Sequence, residues 1–258
     1  MPVEMFPDGL EPPDPDAVIW RFMDLWKFER LLNDGALYFR RADLFLDQYE
    51  GLLPESRPLF DLREIQDWNH DNASNAQFRE AFFVNCWQLF TIETARMWED
   101  YAKEGVAVTS RYNLLKVALH ACPDRAFLGL VRYDSYENAG RNILRLISTK
   151  RRQYSDEQEV RALLWLTQHV SGGMNRHFDE NNYPHPLPLT RPPSSVPDGV
   201  PENVELGALI TGVVVSPWAA ETTLFDVERR LREKGLTMPV QRSDLTRFKA
   251  LLPERRRT

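Results

Sequence analysis

Glu159 is the residue through which this chain is best equipped to do chemistry. In YSDEQEVRALLW the carboxylates of Glu157 and Glu159 and the guanidinium of Arg161 alternate, while Val160, Ala162 and Leu163 are apolar. That is the pattern of a strand with a charged face. A carboxylate fixed on a rigid element stabilises the positive charge that develops on a sugar ring when a bond to its anomeric carbon breaks. Arg21, in IWRF, offers a forked set of donors that matches phosphate oxygens. Tyr38 offers a ring that stacks on a planar heterocycle, and Arg40 a second cation beside it. The expectation is therefore Glu159 as the catalytic group, with Arg21, Tyr38 and Arg40 binding the ligand. The alternative for Glu157, Glu159 and Arg161 is a solvated strand face laced by cross-strand ion pairs.

The elements that must position these residues are legible around them. In Trp20 to Asp43, WRFMDLWKFERLLNDGALYFRRAD, a strand precedes Asp24, whose side chain is expected to cap a helix. Leu25, Phe28, Leu31 and Leu32 recur at helical spacing, Gly35 stops the helix, and Leu37, Tyr38 and Phe39 begin a second strand. Further strands are expected near Phe82 to Trp87, Gly105 to Thr109, Phe127 to Tyr133 and Glu159 to Leu166, with helices near Asn75 to Ala81, Thr94 to Lys103 and Asn113 to His120. Ala208 to Pro217 reads as a continuous apolar strand. It leads to a helix from Glu221 to Lys234 with Leu224, Val227 and Leu231 on one face, stopped at Gly235, and MPVQ returns as a strand. Residues 1–17 form a proline-rich leader and 183–203 a proline-rich irregular loop, because proline lacks the donor that helices and sheets need. The sum is one α+β domain over residues 1–258, with a mixed, mainly antiparallel sheet and flanking helices.

Composition narrows the function. With 258 residues, 43% hydrophobic, the chain can bury a sizeable core. A net charge of −6 does not suit a protein whose work is coating nucleic-acid phosphates. The absence of a run of 18 apolar residues, and of a basic leader before an apolar stretch, points to the cytoplasm and to no membrane partner. Cys86 and Cys122 are too few for a disulfide framework or a zinc knuckle, and the five histidines are scattered, so no metal is expected. Cys86 reads as an inert thiol in an apolar strand. Trp98 and Tyr101 read as core, and Lys150, Arg151 and Arg152 as a charged loop. No phosphate-binding glycine loop, dinucleotide fingerprint, HExxH or GxSxG is present. A metal-dependent nuclease remains the enzymatic alternative, with Asp43, Asp47, Glu50 and Glu159 as oxygen ligands and Lys150 near the phosphate. A non-enzymatic module that senses a ligand or partner is the other.

Two resemblances extend this reading. A strand with a cationic head, a helix ending in glycine and a strand with a hydroxyl resemble the opening of ADP-ribosyltransferase-like folds. That resemblance implies a split-core sheet, NAD as substrate, Glu159 stabilising the ribose cation, Arg21 holding phosphate or ribose and Tyr38 packing on nicotinamide. The succession WRFMDLWKFERLLNDGALYFRRADLFLDQYEG, NCWQ, ETARMWEDYAKEGVAV, VRYD, a basic run into EQEVR, VVVSPWA and PVQRSDL resembles the bacterial family of domain of unknown function 2971. It departs from the family at Phe45 to Gly51, where an Asn-Asp-Pro-like turn is usual. The resemblance implies an intracellular bacterial protein associated with phage defence and no particular reaction; the transferase reading is what adds a defence or toxin-type effector with a macromolecular acceptor, protein or nucleic acid, and an inhibitor partner.

Overall fold

The computed structural model describes residues 2–7, 9–45, 78–134, 142–169, 181 and 195–251. Asp47, Glu50, His70, His177 and His185, and residues 75–77 of the expected 75–81 helix, lie outside them. In chain order the elements open with β1 (Val18–Met23), α1 (Leu25–Asp34) and β2 (Ala36–Arg41). Next come β3 (Phe82–Leu89), α2 (Ala95–Tyr101), β4 (Val106–Arg111), α3 (Tyr112–His120), β5 (Arg125–Leu130) and β6 (Arg132–Tyr133). Then follow α4 (Ile143–Ile147), β7 (Thr149–Lys150), a 3-10 helix (Arg152–Glu157), β8 (Glu159–Trp165) and β9 (Gly199–Asn203). The chain closes with α5 (Leu206–Leu209), β10 (Gly212–Val215), α6 (Thr223–Glu233) and β11 (Val240–Arg242). The class is α+β, and the sheet is mainly antiparallel with helices at its flanks.

The chain's contacts group into two compact units whose residues interleave along the sequence. The first takes Met1–Glu11, Tyr38–Cys86 and Cys122–Glu202; the second takes Pro12–Leu37, Trp87–Ala121 and Asn203–Thr258. Strands β2, β3 and β9 each begin in one unit and end in the other.

In the second unit β1 runs antiparallel to β4 along its whole length, from Val18 opposite Arg111 to Met23 opposite Val106. Beyond β4, β10 is antiparallel to it and parallel to β11, the parallel step being made by the α6 crossover. The strand, helix and strand succession of β10, α6 and β11 is as expected, with Val227 and Leu231 buried but Leu224 only partly so, and Gly235 is left-handed at φ 71. Helix α1 also ends as expected, Gly35 at φ 59 donating its N–H to the Leu31 carbonyl. Asp24 does not cap it: the residue stands at the N-cap position without a side-chain cap bond, and its carboxylate lies 3.2 Å from Lys27 Nζ instead. The run Ala208 to Pro217 is not one strand. Its first residues complete α5, because Leu206 and Leu209 bury equally well on a helical turn, and only Gly212–Val215 is extended. Trp98 is fully buried, edge-on to Phe22, whereas Tyr101, at the end of α2, is exposed and not core.

In the first unit β5 and β8 pair antiparallel from Arg125 opposite Trp165 to Leu130 opposite Val160, and β8 also pairs with β3. Val131 interrupts the expected Phe127 to Tyr133 strand, after which Arg132 and Tyr133 run parallel to Thr149 and Lys150. The proline-rich leader is anchored here, as Glu4 and Leu10 bridge to β5. The irregular 183–203 stretch, in its described part, ends in β9 beside β2 at the end of the strand order, where Pro201 is tolerated because an edge strand needs no donor outward.

Candidate functional site

Strand β8 is buried on both faces up to Leu164, so Glu159 and Arg161 are neither displayed to solvent nor part of a solvated ladder. Bare charges in such a position would be prohibitively costly, and each is therefore fully engaged. Arg161 Nε donates to Glu159 Oε1 at 2.6 Å and Nη2 to Oε2 at 3.2 Å. Its Nη1 donates to the Ile147 carbonyl at the end of α4, and the guanidinium face covers the Phe45 ring at 4.8 Å. A second cation completes the group. Lys150 Nζ stands 2.9 Å from Glu159 Oε2 and 2.6 Å from Glu157 Oε2. Lys150 is thus not on a charged loop: it is the buried end of β7, while Arg152, two residues on, is exposed and paired with Asp134. Two carboxylates and two cations sum to zero charge, which is what makes the burial tolerable.

The backbone that assembles the cluster is unusual at one residue. Gln158, between the two glutamates, has φ 41, the one non-glycine residue with positive φ among those described. It closes the 3-10 helix that carries Glu157 and opens β8, so Glu157 and Glu159 both reach one ammonium instead of following one strand's repeat. Tyr133 Oη accepts the Glu159 N–H at 2.7 Å, fixing the first residue of β8. The Cys86 thiol, on β3, donates to the Glu159 carboxylate. Tyr154 presents its ring to Lys150 Nζ at 5.4 Å and to the Arg151 guanidinium at 5.6 Å.

Electrostatics follows from this packing. Burial works to raise the Glu159 pKa, but Arg161 and Lys150 outweigh it and bring it down to about 2. The carboxylate is therefore ionised at every physiological pH. Burial pushes the Cys86 thiol up, and the Glu159 charge beside it adds to the effect. This thiol stays protonated, in keeping with an inert cysteine. Burial likewise raises the Tyr133 phenol.

No family model matches the chain, and no curated protein and no solved structure matches it. Its chemistry must be read from the geometry.

The other candidate residues are placed by their own strands. Arg21 belongs to the second unit, opposite Val108 on β4. Tyr38 and Arg40 share the first unit with Glu159, yet neither is among its hydrogen-bond or ion-pair partners in the described residues. The Tyr38 ring lies against Gly199 of β9, where a Cβ would collide with it. Arg40 is exposed on β2, opposite Val84. Asp43, the one described member of the nuclease ligand set beside Glu159, is held by Arg41 Nε at 2.5 Å. Among the described residues no group of three or more metal-ligating side chains occurs, and none of the helices is long and apolar enough to cross a membrane. Sequence reasoning placed Glu157 and Arg161 beside Glu159, joined Lys150 to Glu159 only in the nuclease alternative, and did not bring Cys86 or Tyr133 to the cluster. Only the basic residue seven positions before Glu157 gave a signal, and seven has no meaning in a strand.

Proposed function

We propose that this protein breaks the bond between nicotinamide and ribose in NAD, passing ADP-ribose to a macromolecular acceptor or to water, in the manner of a toxin-type effector. The observation that carries the reading is the convergence of Glu157 and Glu159 on Lys150, with Glu159 held ionised in a water-poor setting. When nicotinamide leaves with the bonding pair, the ribose ring becomes cationic, and fixed negative charge stabilises it most where water is excluded. At rest the Lys150 ammonium occupies the position that this cation would take. Glu159, clamped by Arg161, supplies the standing field. Glu157, whose carboxylate lies 2.6 Å from Lys150 Nζ, is the carboxylate that meets the ribose. The acceptor oxygen or nitrogen then bonds to the anomeric carbon and releases its proton. The cations around Glu159 oppose a metal beside it, which weighs against the nuclease alternative.

Nicotinamide release from NAD tests the reading, with the thermal midpoint measured in parallel. NAD is expected to raise the midpoint without added metal, and Glu157→Gln to cut turnover by about 10² to 10³ while the protein stays folded. No release and no shift at millimolar NAD would overturn the proposal, and a shift seen only with magnesium or manganese would favour the nuclease.

A further inference from the structure

Strand β5 has β8 on one side, and the backbone groups on its other edge are already taken by the chain's own beginning. Glu4 N–H donates to the Ala126 carbonyl at 2.9 Å, Leu128 N–H to the Glu4 carbonyl at 2.9 Å, and Leu130 N–H to the Leu10 carbonyl at 2.8 Å. The segment runs parallel to β5 at Glu4 and antiparallel at Leu10. The reversal is made where Gly9 donates to Phe6, a place with no room for a side chain. Side chains add specificity. Arg125 grips Glu4 with two bonds, at 2.5 and 2.7 Å, while its guanidinium lies against the rings of Phe127 and Trp165 at 5.1 and 5.0 Å. Phe6, almost fully buried, stacks on Phe127 with 6.4 Å between centroids. The slot exists because Gly129 lacks a side chain: a Cβ there would lie 2.9 Å from the Phe6 ring. An open strand edge, a forked cation and an aromatic slot together recognise an extended segment with a carboxylate two residues before an aromatic.

We propose that this edge of β5 is a docking groove whose occupant exchanges, so that the same segment of a second copy of the chain enters when the first leaves. The segment is a discrete element of the first unit, and the chain passes into the second unit at Pro12. From there it is tied down at Pro15, Asp16 and Ala17, whose carbonyls accept from Asn113 N–H, Arg111 Nη1 and Tyr112 N–H. What joins segment to anchor is the short Glu11-Pro12-Pro13-Asp14 stretch. Docking from within and docking from a neighbour make identical contacts, so concentration and that connector decide between them.

The test uses full-length protein and a fluorescent peptide of residues 1–11. Glu4→Arg loosens the internal segment and is expected to bind the peptide about tenfold or more tightly than the unaltered chain, because apparent affinity rises with the fraction of grooves left empty. Phe6→Ala empties the groove without adding charge and should do the same. Arg125→Glu is expected not to bind the peptide. Mixed with Glu4→Arg it should form pairs by size exclusion with light scattering, since the reversed charges match only between copies. Failure of both Glu4→Arg and Phe6→Ala to bind the peptide, or a mixture that stays at monomer mass, overturns the proposal.

Discussion

Replacing Glu159 by glutamine removes one charge from a cluster that is neutral because it has four. The carboxylate is only 3% exposed, so solvent offers little screening. Its pKa falls from an ordinary 4.5 to about 2. At about 1.4 kcal/mol for each tenfold change in proton affinity, that difference is worth about 3 kcal/mol of folding stability. The unfolded chain protonates this group near 4.5 and the folded chain only near 2. The contribution is therefore complete above about pH 4.5 and drains away as pH falls toward 2. In Glu159→Gln the amide keeps its shape but leaves Arg161 and Lys150 with one carboxylate between them, the situation in which a broken buried pair costs most. Urea unfolding at pH 7 should place the variant about 3 kcal/mol below the unaltered protein, and the gap should close as both are titrated to about pH 2. A gap under about 1 kcal/mol at pH 7, or one that does not change with pH, would refute the reasoning. The expected loss is independent of whether NAD is turned over, so Glu157→Gln is the cleaner probe of the chemistry.

Gly199→Ala would drive a methyl against the Tyr38 ring and to 2.6 Å from the Phe39 carbonyl oxygen, and should cost about 1–3 kcal/mol in denaturant unfolding; a neutral result would mean that β9 shifts freely away from β2. Both thiols should resist alkylation. Burial and the Glu202 carboxylate push Cys122 up to about 12 and burial raises Cys86 as well, so iodoacetamide at pH 8 should react on the order of 10³ times more slowly than with a free cysteine. Rapid labelling of either residue in the native protein would contradict the packing described.

The sequence made the β1, α1, β2 opening and the β10, α6, β11 return readable because each rests on local signals: apolar spacing within one element and a glycine at its end. Asp24 shows the limit of such signals, since a residue of capping type at the capping position spends its carboxylate on Lys27. Ala208 to Ile210 failed for another reason, because an apolar run satisfies a buried turn of helix as well as a buried strand. The charge cluster was half legible. Glu157, Glu159 and Arg161 announce themselves by alternation, but alternation implies one wet face, and β8 has none. Lys150 joins them only because β6 and β7, two residues each, set it there. Cys86 arrives from β3, 73 positions before Glu159 in the chain, a pairing that no local pattern encodes.

The interleaving of the two units also bears on synthesis. A ribosome releases the chain from its beginning, yet the first unit draws on residues as far as Glu202 and the second on residues beyond it. A nascent chain that stops at β8 still lacks β9, even though every described member of the charge cluster has by then emerged. Growing chains therefore hold Lys150, Glu157, Glu159 and Arg161 before β9, the strand beside β2, has been made.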